Sequence, residues 1–172
     1  NSQHPTVQFL YILAQFPKPV VAAVGGLAIG IGTTVLLHCD LVYAADNARF
    51  QLPFTQLGLC PEAGSSVLLP NLAGYQRSAQ YLLLGEAFGA TEAAQMGLVN
   101  QVVTNTEVCA LALEKALKLA ALPADAVQSS KALLKRNAQP LTLQTIATEL
   151  VQFQRLLNSD ECQQRIAAFF QR

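Results

Sequence analysis

Charged residues are scarce: Asp, Glu, Lys and Arg make up 13% of the 172 residues, and eleven basic side chains offset eleven acidic ones. No Lys/Arg cluster has aromatic residues interleaved with it, so the electropositive, stacking groove that nucleic acid needs is excluded. Long apolar runs are missing as well. Those at 20–24 and 35–37 are broken by glycine, histidine or aspartate well short of the roughly 20 residues of a membrane span. The four cysteines, Cys39, Cys60, Cys109 and Cys162, show no C-x-x-C spacing and no clustered histidines. That argues against a disulfide framework and a metal site, and for reduced thiols. The first residues, Asn1-Ser-Gln-His-Pro5, have neither the basic nor the apolar segment of a secretory signal, and no initiator methionine opens the chain.

What the chain does have is apolar mass. Its 52% hydrophobic content is enough for one domain with a substantial core. Val7, Leu10, Tyr11 and Ala14 recur at helical spacing over residues 6–15, and Pro17 and Pro19 end that helix. Val20-Val-Ala-Ala-Val24 reads as a strand buried on both faces, ending at Gly25-Gly26. Gly30 and Gly32 then open a second helix whose apolar face continues through Val35, Leu36 and Leu37. Residues 41–45 read as another strand, with 48–52 returning beside it after the Asp46-Asn47 turn. Helices follow near 65–69 and 75–84, and from Thr91 as N-cap with Glu92 in the first turn. A strand is expected over 98–103, and helices over 106–121, 124–138 and 141–170. The last breaks near Asn158-Ser-Asp160, where Asp160 is the expected cap. The pattern is α/β, without internal repeat or linker.

Two features carry chemistry. Gly25-Gly-Leu-Ala-Ile-Gly30-Ile-Gly32 gathers unpaired backbone N–H groups at a helix start, an oxyanion cradle in form. The plainer reading is a tight turn with close strand-to-helix packing. The spacing is neither G-x-G-x-x-G nor a P-loop. Glu62 is the second feature, a lone carboxylate after Pro61 in an otherwise apolar stretch. An isolated loop glutamate is ordinarily a solvated charge, but Leu57, Leu59, Val67 and Leu68 around it point toward burial. An acid that removes a proton beside a carbonyl needs N–H donors waiting for the enolate oxygen, so loop and acid are complementary.

Lys18-Pro-Val-Val-Ala-Ala-Val-Gly-Gly26, Ala28-Ile-Gly-Ile-Gly32, Cys39-Asp-Leu-Val-Tyr-Ala44, Ala48-Arg-Phe50, Leu57-Gly58, Pro61-Glu-Ala-Gly64 and Ala93-Ala-Gln-Met-Gly-Leu-Val99 together resemble, in order, the crotonase (enoyl-CoA hydratase/isomerase) superfamily. The resemblance implies a repeated ββα core at residues 1–104 and a C-terminal helical trimerisation region of the same domain at 105–172. It also implies trimers or hexamers, acyl-CoA thioesters as ligands, and no cofactor, since coenzyme A is part of the substrate. The family's hydratases carry two glutamates, and the matching positions here are Thr34 and Phe54. Neither can act as a carboxylate base. The stretch from Pro53 to Glu62 instead looks like Δ3,Δ2-enoyl-CoA isomerases of the peroxisomal type, in which the acid at the position of Glu62 is the single base.

By that likeness Glu62 shuttles a proton from C2 to C4, the backbone N–H of Ile31 holds the enolate oxygen, and Ala28, Gly30, Phe54, Leu57, Pro61 and Ser65 line the substrate pocket. The family's other oxyanion N–H belongs to an upstream Ala/Ser-Gly-x-Asp loop. The expectation is therefore that these residues form a C-terminal portion of a longer domain, lacking half the oxyanion hole. Rival readings are an enoyl-CoA hydratase or other crotonase reaction, and a non-catalytic acyl-CoA-binding scaffold like the chromodomain-linked members. The expected location is cytoplasmic in a bacterium and peroxisomal or mitochondrial in a eukaryote. His4 and His38 are expected to make hydrogen bonds rather than to catalyse. Lys131, Lys135 and Arg136 read as a solvated helix face, with coenzyme A phosphates as the alternative contact. Ser65 and Ser66 fit a helix start or pocket wall. Phe153, Phe169 and Phe170 fit an acyl-pocket cover, a subunit contact or core packing.

Overall fold

The computed structural model describes residues 4–170, apart from the side chain of Phe170, for which the role expected above lies outside the described residues. Helix α1 (Pro5–Ala14) buries Val7, Leu10 and Ala14, the stripe anticipated from its periodicity. Two strands and a helix then recur. Strands β1 (Val21–Val24) and β2 (Leu27–Ile29) lead into α2 (Ile31–Thr34) and a 3₁₀ turn over Val35–His38. The same order returns as β3 (Leu41–Ala45), β4 (Arg49–Gln51) and α3 (Ser65–Ala73). Short α4 (Tyr75–Ala79) continues as a π turn to Leu84. Strand β5 (Phe88–Gly89), helix α5 (Ala90–Gln95) and strand β6 (Gln101–Val103) complete the core, and α6 (Asn105–Ala120), α7 (Ala124–Lys135), α8 (Gln139–Leu157) and α9 (Asp160–Phe170) follow it.

Each repeat sends its first strand to one sheet and its second to another. β1 and β6 flank β3 in parallel, whereas β4 pairs in parallel with β2 and antiparallel with β5. The expected return of 48–52 beside 41–45 is therefore corrected. β3 is a central strand with both edges already occupied, so β4 has no ladder to join there and crosses to the second sheet. Strand β2 has no counterpart in the sequence reading. It buries only Ala28 and leaves Leu27 77% exposed, so its three residues carry little of the patterning by which a strand is recognised.

Helix ends differ in detail from expectation. Gly89, rather than Thr91, precedes α5, and its N–H donates to the Glu92 carboxylate at 2.7 Å. At α9, the hydroxyl oxygen of Ser159, rather than Asp160, accepts the Cys162 N–H at 3.3 Å. The second helix tightens to 3₁₀ geometry after Thr34.

Phe50 and Phe88, both buried, stack across β4 and β5 with ring centroids 5.4 Å apart. Phe153 packs against this core from α8, and Phe169 is exposed. All four cysteines are free, and among the described residues no helix is long and apolar enough to cross a membrane.

The solvated-face reading fails for Lys131, which is only 6% exposed. Its ammonium donates to Asp40 Oδ2 and to the Lys18 carbonyl, each at 2.7 Å, and Asp40 Oδ2 also accepts the Val20 N–H at 2.7 Å. An enclosed cation must be paired, and this one fastens α7 to the entry of β1 and of β3. Lys131→Ala is therefore expected to lower unfolding free energy by about 2–4 kcal/mol in urea titration, somewhat below a fully enclosed pair because Asp40 keeps contact with water. The exposed Lys118–Glu114 pair is the control, and Lys118→Ala should leave the midpoint unmoved.

Candidate active site

The chain leaves β2 through Gly30, whose φ of 58° and ψ of −119° suit a residue without a side chain. Its N–H extends the β2–β4 ladder by donating to Gln51 O at 2.9 Å, while its carbonyl accepts from Thr33 and Thr34 N–H at 2.9 and 3.0 Å. Ile31 and Gly32 thus become the first helical residues, with N–H groups that have no partner within the helix. Beneath them Ala28 is buried, and the Thr33 hydroxyl donates to its carbonyl at 2.5 Å.

The opposite wall comes from the loop between β4 and α3. Phe54 is buried in the main core, and Leu57 is half-buried in the 3₁₀ turn Thr55–Leu57 that follows. Beyond Pro61, Ala63 and Gly64 are consecutive left-handed residues with φ of 59° and 75°. Three tethers hold that conformation. Ser65 donates to the Glu62 carbonyl through its hydroxyl at 2.6 Å and its N–H at 3.0 Å. His38 Nε2 lies 2.7 Å from Ala63 O, and because a carbonyl only accepts, that nitrogen carries the hydrogen. Burial, and secondarily the charge of Lys135, lower the proton affinity of His38 against the opposing effect of this bond, so the ring is a neutral strut. The third tether is Glu149 of α8, 7% exposed: one oxygen accepts Gly64 N–H at 2.6 Å, and the other accepts the N–H and hydroxyl of Ser66 at 2.9 and 2.6 Å.

Glu62 itself is half-buried and accepts a hydrogen bond at Oε1 from the hydroxyl of fully buried Thr34, which also lies 3.4 Å from Ile31 O. Thr34, at the end of α2, therefore touches the acid that follows Pro61. Burial pushes the Glu62 carboxyl above the ordinary range, the Thr34 hydrogen bond opposes that shift, and the charge of Glu149 adds to it. A base with raised proton affinity, hydrogen-bonded to the short helix whose first amides have no partner within it, can take a proton from an acidified C–H and give it back.

Of the residues expected at the site, Glu62, Ser65, Gly30 and Ile31 are linked through Thr34 and the loop tethers, and Pro61 is half-buried beside them. Phe54 belongs to the main core, and its carbonyl accepts the Leu57 and Leu59 N–H groups at 3.1 and 2.7 Å. His4 accepts Thr6 N–H at 3.3 Å at the start of α1, away from it. Glu149 was missed, although a signal for it exists: Thr142, Ile146 and Glu149 follow helical spacing, so a carboxylate stands on the face that must be buried.

Because the folded-state affinity of Glu62 is raised, its contribution to stability is complete below its ordinary pKa of 4.5 and is lost as pH rises through the folded value. Glu62→Gln should therefore raise the urea midpoint relative to the parent at pH 8, with the gain vanishing below pH 4.5. Thr34→Val removes the one donor that favours the carboxylate. In it, the ¹³C carboxyl titration of Glu62 is expected to move to still higher pH.

Comparison with known proteins accords with this geometry. The family model described as enoyl-CoA hydratase/isomerase matches residues 2–172. "Enoyl-CoA delta isomerase 2" of Rattus norvegicus is 34% identical over 165 residues, 96% of this chain and 42% of that protein. "2,3-dehydroadipyl-CoA hydratase" of Escherichia coli is 37% identical over 161 residues, 93% of this chain and 63% of that protein. The solved structure of Pseudomonas aeruginosa OdaA superposes with a TM-score of 0.97 at 41% identity, covering 100% of this chain and 70% of that one. The chain thus spans less than two thirds of the length of these two curated relatives. With matching motifs, a matching ββα core and a family model aligned over nearly every residue, this chain belongs to the enoyl-CoA hydratase/isomerase family.

Proposed function

We propose that this protein acts on acyl-CoA thioesters through an enolate, with Glu62 moving the proton and the Ile31 amide donating to the enolate oxygen. The observation that carries the reading is the meeting of Glu62 with Thr34 beside the start of α2. A half-buried acid with raised proton affinity and a neutral hydroxyl partner suits a base that must also return its proton.

Which reaction of the family follows depends on how many carboxylates act. The relatives named above include a hydratase as well as an isomerase, and they support an enoyl-CoA hydratase or another family reaction better than isomerisation in particular. The local chemistry favours the narrower reading. Thr34 and Phe54 stand where the hydratases carry their acid pair, which leaves Glu62 to work alone. In that form Glu62 takes a proton from C2 of a 3-enoyl-CoA and the C–H pair forms the C1–C2 bond of the enolate; as the thioester carbonyl re-forms, that pair becomes the C2–C3 double bond and the former C3–C4 π pair takes the proton from Glu62 at C4. A trimer or hexamer belongs to the same reading, and Leu113 and Leu117, each 60% exposed one turn apart on α6, suit a subunit contact.

Glu62→Gln is expected to lower kcat for 3-enoyl-CoA by about 10²- to 10⁴-fold, with the acyl-CoA dissociation constant unchanged in calorimetry. Parent protein in D₂O should release 2-enoyl-CoA without a mass gain of one water. Formation of the 3-hydroxy product would assign a hydratase, and binding without turnover in both proteins would leave an acyl-CoA-binding scaffold.

A further inference from the structure

We propose that Glu149 is a positioning residue for Glu62: from α8 its carboxylate fastens the Gly64 and Ser66 amides and thereby fixes the loop from which Glu62 reaches Thr34. Its catalytic consequence rests on the assignment of Glu62 as the acid/base. Three donors converge on a side chain that is 7% exposed, and they come from residues two and four beyond Glu62. The approach of α8 is close enough to make this geometry compulsory. A Cβ at Gly64 would lie 3.1 Å from Thr142 Cγ2 and 3.4 Å from Ile146 Cγ1, on the face of α8 that bears Glu149.

A cap that only satisfied the start of α3 would leave Glu62 indifferent to its removal. Here the anchored amides are that of Gly64 itself and that of Ser66 two residues on, and the left-handed backbone of Ala63 and Gly64 is strained for alanine and persists only while its surroundings hold it. Glu149 also brings a second negative charge to the acid. Among the described residues, the other titratable groups around the loop are His38, bonded to Ala63 O; Lys135, whose ammonium donates to His38 O at 3.2 Å; Cys60, near the Glu149 carbonyl; and Arg155, one of the charges acting on that thiol. Cys60 has a raised thiol pKa and His38 a lowered imidazole pKa, so both stay neutral near pH 7 and Glu149 supplies the like charge.

The test combines Glu149→Gln, which removes the charge, with Glu149→Asp, which keeps the charge but shortens its reach. In Glu149→Gln the ¹³C titration of Glu62 should move to lower pH and the acid limb of kcat/KM should move with it, while kcat falls about 10- to 100-fold through misplacement. In Glu149→Asp kcat should fall comparably while the titration stays high, a separation that a purely structural cap would not give. An unchanged Glu62 titration in a folded Glu149→Gln, or parental kcat in either variant, would overturn the proposal. Should the parent itself fail to turn over 3-enoyl-CoA, the isomerase reading fails alone. The Glu62 titration and hydrogen exchange at the Gly64 and Ser66 amides, faster in both variants if Glu149 holds them, then decide the role of Glu149.

Discussion

Parallel pairing of β2 with β4 is the constraint on which the site depends. Strands that run in the same direction release their following segments at the same end of the sheet, which is why parallel sheets gather ligand sites at their carboxyl ends. Here the segment after β2 becomes α2, and the segment after β4 becomes the loop bearing Glu62. Thr34 and Glu62 meet across 28 positions of sequence for that reason. The Gly30 N–H to Gln51 O bond carries the ladder to the point where the two segments diverge. An antiparallel partner for β4 at that edge would have sent the acid to the far end of the sheet.

The acid is held in a balance of opposing influences. Burial disfavours its charge, the Thr34 hydroxyl favours it, and a second carboxylate 87 positions further along presses the other way. Neither partner lies near Glu62 in sequence, so its chemistry is a property of the assembled fold. The neutral His38 shows the same economy: a titratable ring serves as a rigid donor, because burial has removed its capacity to take up charge at ordinary pH.

Much of this was legible in the chain. The 3.6-residue stripe at Val7, Leu10 and Ala14, the apolar run ending at Val24, and the break at Asn158 all marked real elements, because each expresses a strong local preference; the first strand is nevertheless not buried on both faces, since Ala23 is exposed and Val21 and Ala22 are half-buried. Glu62 stood out because a charge is conspicuous among apolar neighbours. The crossing of β4 to a second sheet was not legible, since strand pairing is decided by which edges are vacant rather than by the turn between neighbours. The setting of Lys131 was not legible because a helical stripe of cations looks the same whether water or a half-buried Asp40 lies opposite. Glu149 is a similar case. Glutamate suits an exposed helix position, so its helical spacing with Thr142 and Ile146 is a weak signal until the packing of α8 shows that the position is enclosed.

The bond from Glu149 to Gly64 spans 85 positions, and the one from Lys131 to Lys18 spans 113. Chains grow from the amino end and fold as they emerge. During translation the acid-bearing turn therefore exists for a long interval before its restraint has been made. The core strands can pair in that interval, but the turn stays slack until α8 has cleared the ribosome and docked. Completion of the site waits on a helix that lies 85 positions beyond the turn it restrains.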